Sequence, residues 1–219
     1  MTMYEALLYV HLLGWVFWLG TDVGVFLGAK YFERADLSPE TRMTVLQLGM
    51  VLDRFPRFSM PVVWLTGVIM MNNLGYEIIP GAVATVLAVL WLVVTWVVIF
   101  QLPGSAGHKW GNIAQTLILA AIICGMGGIA SYMLAAGDMP LWLAIKWFAF
   151  VLVAITVIAL EKKFAPLGPL LGELAESGGN DDLNARISTI LKPVYPIVLA
   201  IYAWTLLAAA SGVTKITLS

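Results

Sequence analysis

Three ionisable side chains sit inside long apolar stretches: His11, Asp22 and Lys146. Hydrocarbon penalises such groups, so each marks a candidate functional position by default. His11 offers a neutral ring nitrogen to a metal, Asp22 a carboxylate, and Lys146 a cation that can neutralise an anion or assist proton transfer. His11, Trp15, Trp18 and Asp22 recur at intervals of four, three and four. On a helix that spacing gathers them within roughly 60° of one another, in a single polar and aromatic stripe. Gly20, Gly24 and Gly28 form a second stripe roughly opposite, a repeated small-xxx-small pattern that lets another backbone approach closely. One face of this stretch is suited to holding something. The other is suited to packing, with a second copy or a complex partner as candidate neighbours.

The elements that must position these residues are membrane helices. The chain has 219 residues, 61% hydrophobic and only 11% charged, with mean hydropathy +0.91. Soluble domains carry about 25% charged residues, so a water-soluble globule is excluded. A net charge of −1 argues against a nucleic-acid partner and against a polybasic surface binder. The one cysteine, Cys124, lies in an apolar run and cannot form an internal disulfide. No basic segment precedes the first apolar stretch, which is too long for a cleavable signal and serves as the first span.

A span needs about 20 apolar residues. The sequence predicts an all-α, single-domain bundle of six spans, over about 4–29, 56–74, 81–102, 112–136, 140–160 and 193–213. Lysines and arginines gather at 30–42, at 109 and at 162–192, while the opposite side has only Lys215. The positive-inside rule then puts both termini on the non-cytoplasmic side of a bacterial inner membrane. Between the first two spans, Ser38-Pro39-Glu40 reads as N-cap, first-turn proline and acid. The helix it starts should kink or restart near Pro56. Asp53, Arg54 and Arg57 sit at that restart. Asp53 and Arg57 are spaced to pair, and the arginines suit an anionic group. The connection 161–192 predicts two short helices broken at Ser177-Gly178-Gly179, the second capped within 180–182 and amphipathic through Leu183, Ile187, Ile190 and Leu191.

With this topology the first and fifth spans run the same way. His11 is seven residues past Tyr4 and Lys146 seven past Met139. Both therefore lie about 10 Å below the same surface. Each also has a structural reading: His11 bonded to a neighbouring helix, Lys146 snorkelling, Asp22 pairing for packing, and Trp15, Trp18, Trp142 and Trp147 facing lipid or the interface. His108 reads as a solvated loop histidine at the cytoplasmic side, too far from His11 to share a metal. Two histidines are also too few for a bis-histidine two-haem relay. Ten methionines invite a copper reading, but they form no spaced ladder.

The run HLLGWVFWLG, the block DRFPRFSMPVVWLTGVIM and the block WLAIKWFAFVLVAI together resemble the HemJ-type protoporphyrinogen oxidases. The related CopD-type copper-resistance membrane proteins share the layout. The final span, after RISTILKPVYPIVLAIY, is similar in placement. In the HemJ family a first-helix histidine and a lysine of a later helix are the functional pair, associated with b-type haem. The resemblance carries these roles to His11 and Lys146. Three features depart from the family: the segment 76–137 has no counterpart, TDVGVFLGAK lacks the expected arginine, and no histidine follows the lysine block.

The resemblance implies a membrane oxidoreductase binding haem b. His11 would be the metal ligand; Trp15, Arg54 and Arg57 would contact the cofactor, and Lys146 and Asp22 would serve catalysis. A tetrapyrrole would be the substrate and a quinone a candidate acceptor. CopD-like copper transport and a non-catalytic subunit docking through Gly20, Gly24 and Gly28 are the alternatives.

Overall fold

A computed structural model describes residues 1–76, 78–101 and 105–215. Among them are nine helices and no strand: α1 Met3–Phe32, α2 Pro39–Leu52, α3 Arg54–Asn73, α4 Gly81–Phe100, α5 Ala106–Ala136, α6 Leu141–Phe164, α7 Leu167–Ser177, α8 Asp181–Leu191 and α9 Val194–Thr214. Five helical stretches are long and apolar enough to cross a membrane. They are Met3–Phe32, Gly81–Phe100, Ala106–Ala136, Leu141–Ser177 and Asp181–Thr214, the last two being α6 with α7 and α8 with α9. The chain is thus an all-helical, multi-pass membrane protein. The second expected span corresponds to α3, which is long enough at 20 residues. It is less apolar than the others because it opens on Arg54 and Arg57 and ends on Asn72 and Asn73.

Local chemistry sets the boundaries. Ser38 Oγ accepts from the Thr41 amide at 3.3 Å and starts α2. A single residue, Asp53, separates α2 from α3, so the helix restarts at Arg54, two residues before Pro56. Asn180 caps α8 through a 2.8 Å bond from the Leu183 amide. Gly137 and Gly178 end α5 and α7 in the left-handed conformation, with φ of 77° and 75°, which a side chain would strain. The expected break at 177–179 is therefore present. The fourth span begins earlier than 112, because Ser105 Oγ accepts from the His108 amide and starts α5 at Ala106. The end of the third expected span, at 102, lies outside the described residues.

The contacts divide into two compact units, Met1–Asp22 with Asp53–Met139, and Val23–Leu52 with Pro140–Ser219. In the first, the N-terminal part of α1 runs antiparallel to α3: Phe17 stacks on Phe55 with ring centroids 5.9 Å apart. A Cβ on Gly14 would stand only 2.9 Å from Val63 Cγ2, so the glycine is what permits this approach. α3 and α4 pack through Trp64 and Trp91.

In the second unit α6 and α9 pack together, with the small residues Ala144, Ala149 and Ala154 buried on α6. Small side chains allow the close backbones that dispersion needs where lipid supplies no hydrophobic drive. The short helices build a core from Phe32, Leu46, Leu167, Leu170, Leu174, Leu183, Ile187, Leu191 and Tyr195. Gly24 and Gly28 face α2 of this same chain, where added Cβ atoms would meet Leu52 at 3.0 Å and Val45 at 3.7 Å. Gly20 has open space around it.

Candidate functional site

The N-terminal part of α1 turns its polar stripe inward and its apolar residues outward. His11 is 8% exposed whereas Val16 is 55% exposed, with Leu12, Leu13 and Phe17 also facing out. Such an inversion suits a helix whose surroundings are lipid. Trp18 and Trp147 are buried, which corrects the lipid-facing expectation for both. An indole body fills core volume as readily as it anchors at an interface.

His11 Nδ1 lies 2.9 Å from Thr66 Oγ1, and both residues are buried. The same hydroxyl donates to the Val62 carbonyl at 2.7 Å, one turn back on α3. A hydroxyl has a single proton. With that proton directed to Val62, the Thr66 oxygen is left to accept from His11, and in that state Nδ1 carries the ring hydrogen and Nε2 the lone pair. This is the arrangement by which a hydroxyl or carbonyl partner sets the tautomer of a metal-ligating histidine. Gly67 gives the ring its room: a Cβ there would stand 3.4 Å from His11 Cε1. One turn along the stripe, Trp15 has a buried indole N–H with no hydrogen-bond partner among the described residues.

At the start of α3, Arg57 Nε donates to Asp53 Oδ2 at 2.6 Å, the pairing the spacing predicts. Arg54 lies over the Phe100 ring, 5.3 Å from its centroid. His11, Trp15, Asp22, Arg54 and Arg57 all belong to the first unit. Lys146 belongs to the second. It is half-buried on α6, and its ammonium lies along α9 where Gly212 leaves the backbone bare: a Cβ at 212 would meet Nζ at 3.0 Å. His108 is not in a loop. It sits in the first turn of α5 with Nδ1 3.1 Å from the Val98 carbonyl, because the Ser105 cap extends that helix. Among the described residues, no group of three or more His, Cys, Asp or Glu is placed to hold a metal ion.

Sequence reasoning missed two polar centres of the second unit. Arg42, counted only as a cytoplasmic charge, is 2% exposed. Its Nε donates to the Phe32 carbonyl at 2.8 Å and its Nη1 to Asn184 Oδ1 at 2.8 Å, so a cation closes the C-terminal end of α1. Glu33 accepts from Tyr195 at 2.6 Å and from Ser188 at 2.7 Å. Lys30 Nζ sits 3.2 Å above the Tyr195 ring centroid. Burial pushes the Glu33 carboxyl up, but the hydrogen bonds from Tyr195 and Ser188 and the charges of Lys30 and Lys192 outweigh it, leaving the group below its ordinary value. Their signal was weak: a charge beside a predicted helix end reads as a solvated one. Comparison with protein-family models, curated proteins and solved structures finds nothing that matches this chain.

Proposed function

We propose that this chain is a multi-pass protein of the bacterial inner membrane that binds b-type haem through His11 and has a redox role resembling that of HemJ-type protoporphyrinogen oxidases. One observation carries the reading: a buried intramembrane histidine whose Nδ1 is held 2.9 Å from the Thr66 hydroxyl, which orients the ring; with the hydroxyl proton directed to Val62, Nδ1 would carry the hydrogen and Nε2 the lone pair an axial ligand needs. The unpartnered N–H of Trp15 one turn away fits the same group, since it can donate to a polar acceptor on it. Bound haem would supply one-electron chemistry.

The rest is work for the chain. Thr66 and Gly67 hold and seat the imidazole. Lys146 neutralises a carboxylate or assists proton transfer, and Asp22 is the second proton-handling group. Arg54 and Arg57 serve anionic groups at the cytoplasmic edge. In this reading α3 is a sixth span, both termini lie outside the cytoplasm, the substrate is a tetrapyrrole and a quinone accepts the electrons.

The test is an absorption spectrum of detergent-purified protein from haem-replete cells, beside His11→Ala and Lys146→Ala. A Soret band with reducible α and β bands, lost or shifted in His11→Ala, is the expected result. Its absence from the wild type overturns the reading. Bound copper without porphyrin would then favour CopD-like transport.

A further inference from the structure

Six buried side-chain atoms of the first unit have no hydrogen-bond partner among the described residues; besides those of Trp15 and Asn72 they are Nε1 of Trp64, Nε1 of Trp91, Oγ1 of Thr95 and Oε1 of Gln115. The four residues are 7%, 2%, 1% and 6% exposed. They come from three successive helices. Trp64 of α3 meets Trp91 of α4 edge to face, with ring centroids 6.4 Å apart. Thr95 follows Trp91 by one turn of α4. α4 and α5 run antiparallel, since His108 reaches the Val98 carbonyl and a Cβ on Gly111 would touch the side chains of Val97 and Val98. One turn further along α5, and one turn back along α4, Gln115 comes level with Thr95. The unpaired atoms therefore lie on adjoining turns of three successively packed helices, a buried polar layer within the first unit.

Thr95 departs from the habit of its own chain. Thr66, Thr85, Thr116, Thr156 and Thr205 each donate to the carbonyl four residues back. The Thr95 hydroxyl does not, although that bond is the usual refuge of a threonine in a helix. Lipid cannot satisfy such groups, so a partner is required inside the protein.

The donor and acceptor types identify it. Two indole N–H groups only donate, the glutamine oxygen only accepts, and the threonine hydroxyl does either. We propose that this layer is a binding site for ordered water, which accepts from Trp64 and Trp91 and donates to Gln115 and Thr95. Water combines two donor and two acceptor positions on one atom, and buried waters gather about three such bonds to otherwise unsatisfied groups. A larger polar ligand would need an opening, and these residues are closed to the outside. The proposal does not depend on haem.

Water-to-indole rotating-frame NOE spectra of 15N-tryptophan-labelled protein in detergent test this. Trp64→Phe and Trp91→Phe assign the two signals. Both indoles should show cross-peaks to water with the sign of a long-lived bound molecule. The Thr95→Val/Gln115→Leu variant should lose most of that intensity, while Thr95→Ser, which keeps the hydroxyl, should retain it. Comparing the dispersion of the remaining indole signals shows that the double variant is folded. No cross-peak at either residue, with the exposed Trp110 giving one, overturns the proposal. Cross-peaks with the sign of proton exchange also overturn it, because the indoles would then be opening to bulk water.

Discussion

His11 Nδ1 and Thr66 Oγ1 stand 2.9 Å apart inside the first unit, and the threonine hydroxyl is placed to donate to the Val62 carbonyl at 2.7 Å. With that direction the two nitrogens of His11 are distinct, Nδ1 protonated and Nε2 bearing the lone pair. In the proposed function Thr66 is a positioning residue, acting through the imidazole rather than on a substrate.

Substituting Thr66→Val keeps the shape and removes the acceptor, leaving a buried N–H unpaired at a cost of about 1–3 kcal/mol. The ring should answer by moving its proton toward Nε2. In 15N spectra of histidine-labelled protein, the His11 pair of shifts should exchange its pattern in Thr66→Val and keep it in Thr66→Ser. Unchanged shifts in the valine variant would mean that something other than Thr66 sets the tautomer.

Glu33 makes a pH prediction. Its folded-state pKa is depressed, so the unfolded chain binds the proton more tightly. The stabilisation from Tyr195, Ser188 and the nearby lysines is therefore full above the ordinary carboxylate range. It is lost as pH falls through the depressed folded value. Thermal melts in detergent should show an acid-side decline that is shallower in Glu33→Gln. Tyr195→Phe removes one of the bonds that lower the group and should shift the decline to higher pH. A decline identical in all three proteins would assign the acid sensitivity elsewhere.

Which parts of this were legible in the sequence follows from how each signal is written. The α1 stripe could be read because the helical period places His11, Trp15, Trp18 and Asp22 on one side whatever surrounds them. The caps at Ser38 and Asn180 could be read because their chemistry is local. Thr66 could not. A threonine in an apolar run announces nothing until a histidine 55 positions away lies against it. Arg42 misled for a similar reason: its burial comes from Phe32 and Asn184, which only the folded chain brings to it. His108 was misplaced because the glycines around it suggest a loop, and one serine cap outweighed them. The two tryptophans expected at lipid are buried because indoles serve both environments.

Gly14 and Val63 offer a test of helix approach. A Cβ at position 14 would come within 2.9 Å of Val63 Cγ2, on a β-branched side chain that is stiff about χ1. Alanine gains about 1 kcal/mol of helix propensity over glycine. The overlap, at about 1–3 kcal/mol, should exceed that gain and lower the melting temperature. In the Gly14→Ala/Val63→Ala pair the clash disappears, so the double variant should be more stable than the two single effects sum to. Additive effects would show that the helices separate freely at this level.

Lys146 lets a functional residue be told from a structural one. It is a half-buried cation within a span, and its ammonium rests along the bare backbone at Gly212. A charge in mid-helix costs about 2.5–3.5 kcal/mol on insertion scales. Methionine matches much of the lysine stem without the charge. If Lys146 is kept for what it does, Lys146→Met should leave the melting temperature unchanged or raise it while the proposed redox activity falls, as stabilised variants of functional sites commonly behave. Gly212→Ala supplies the complementary perturbation. Its methyl group meets the far end of a flexible side chain, so the fold should tolerate it within about 1 kcal/mol, while the ammonium must move. Activity reduced in Gly212→Ala at unchanged stability would tie function to the position of that charge. A melting temperature that drops sharply in Lys146→Met would instead show that the lysine holds the second unit together.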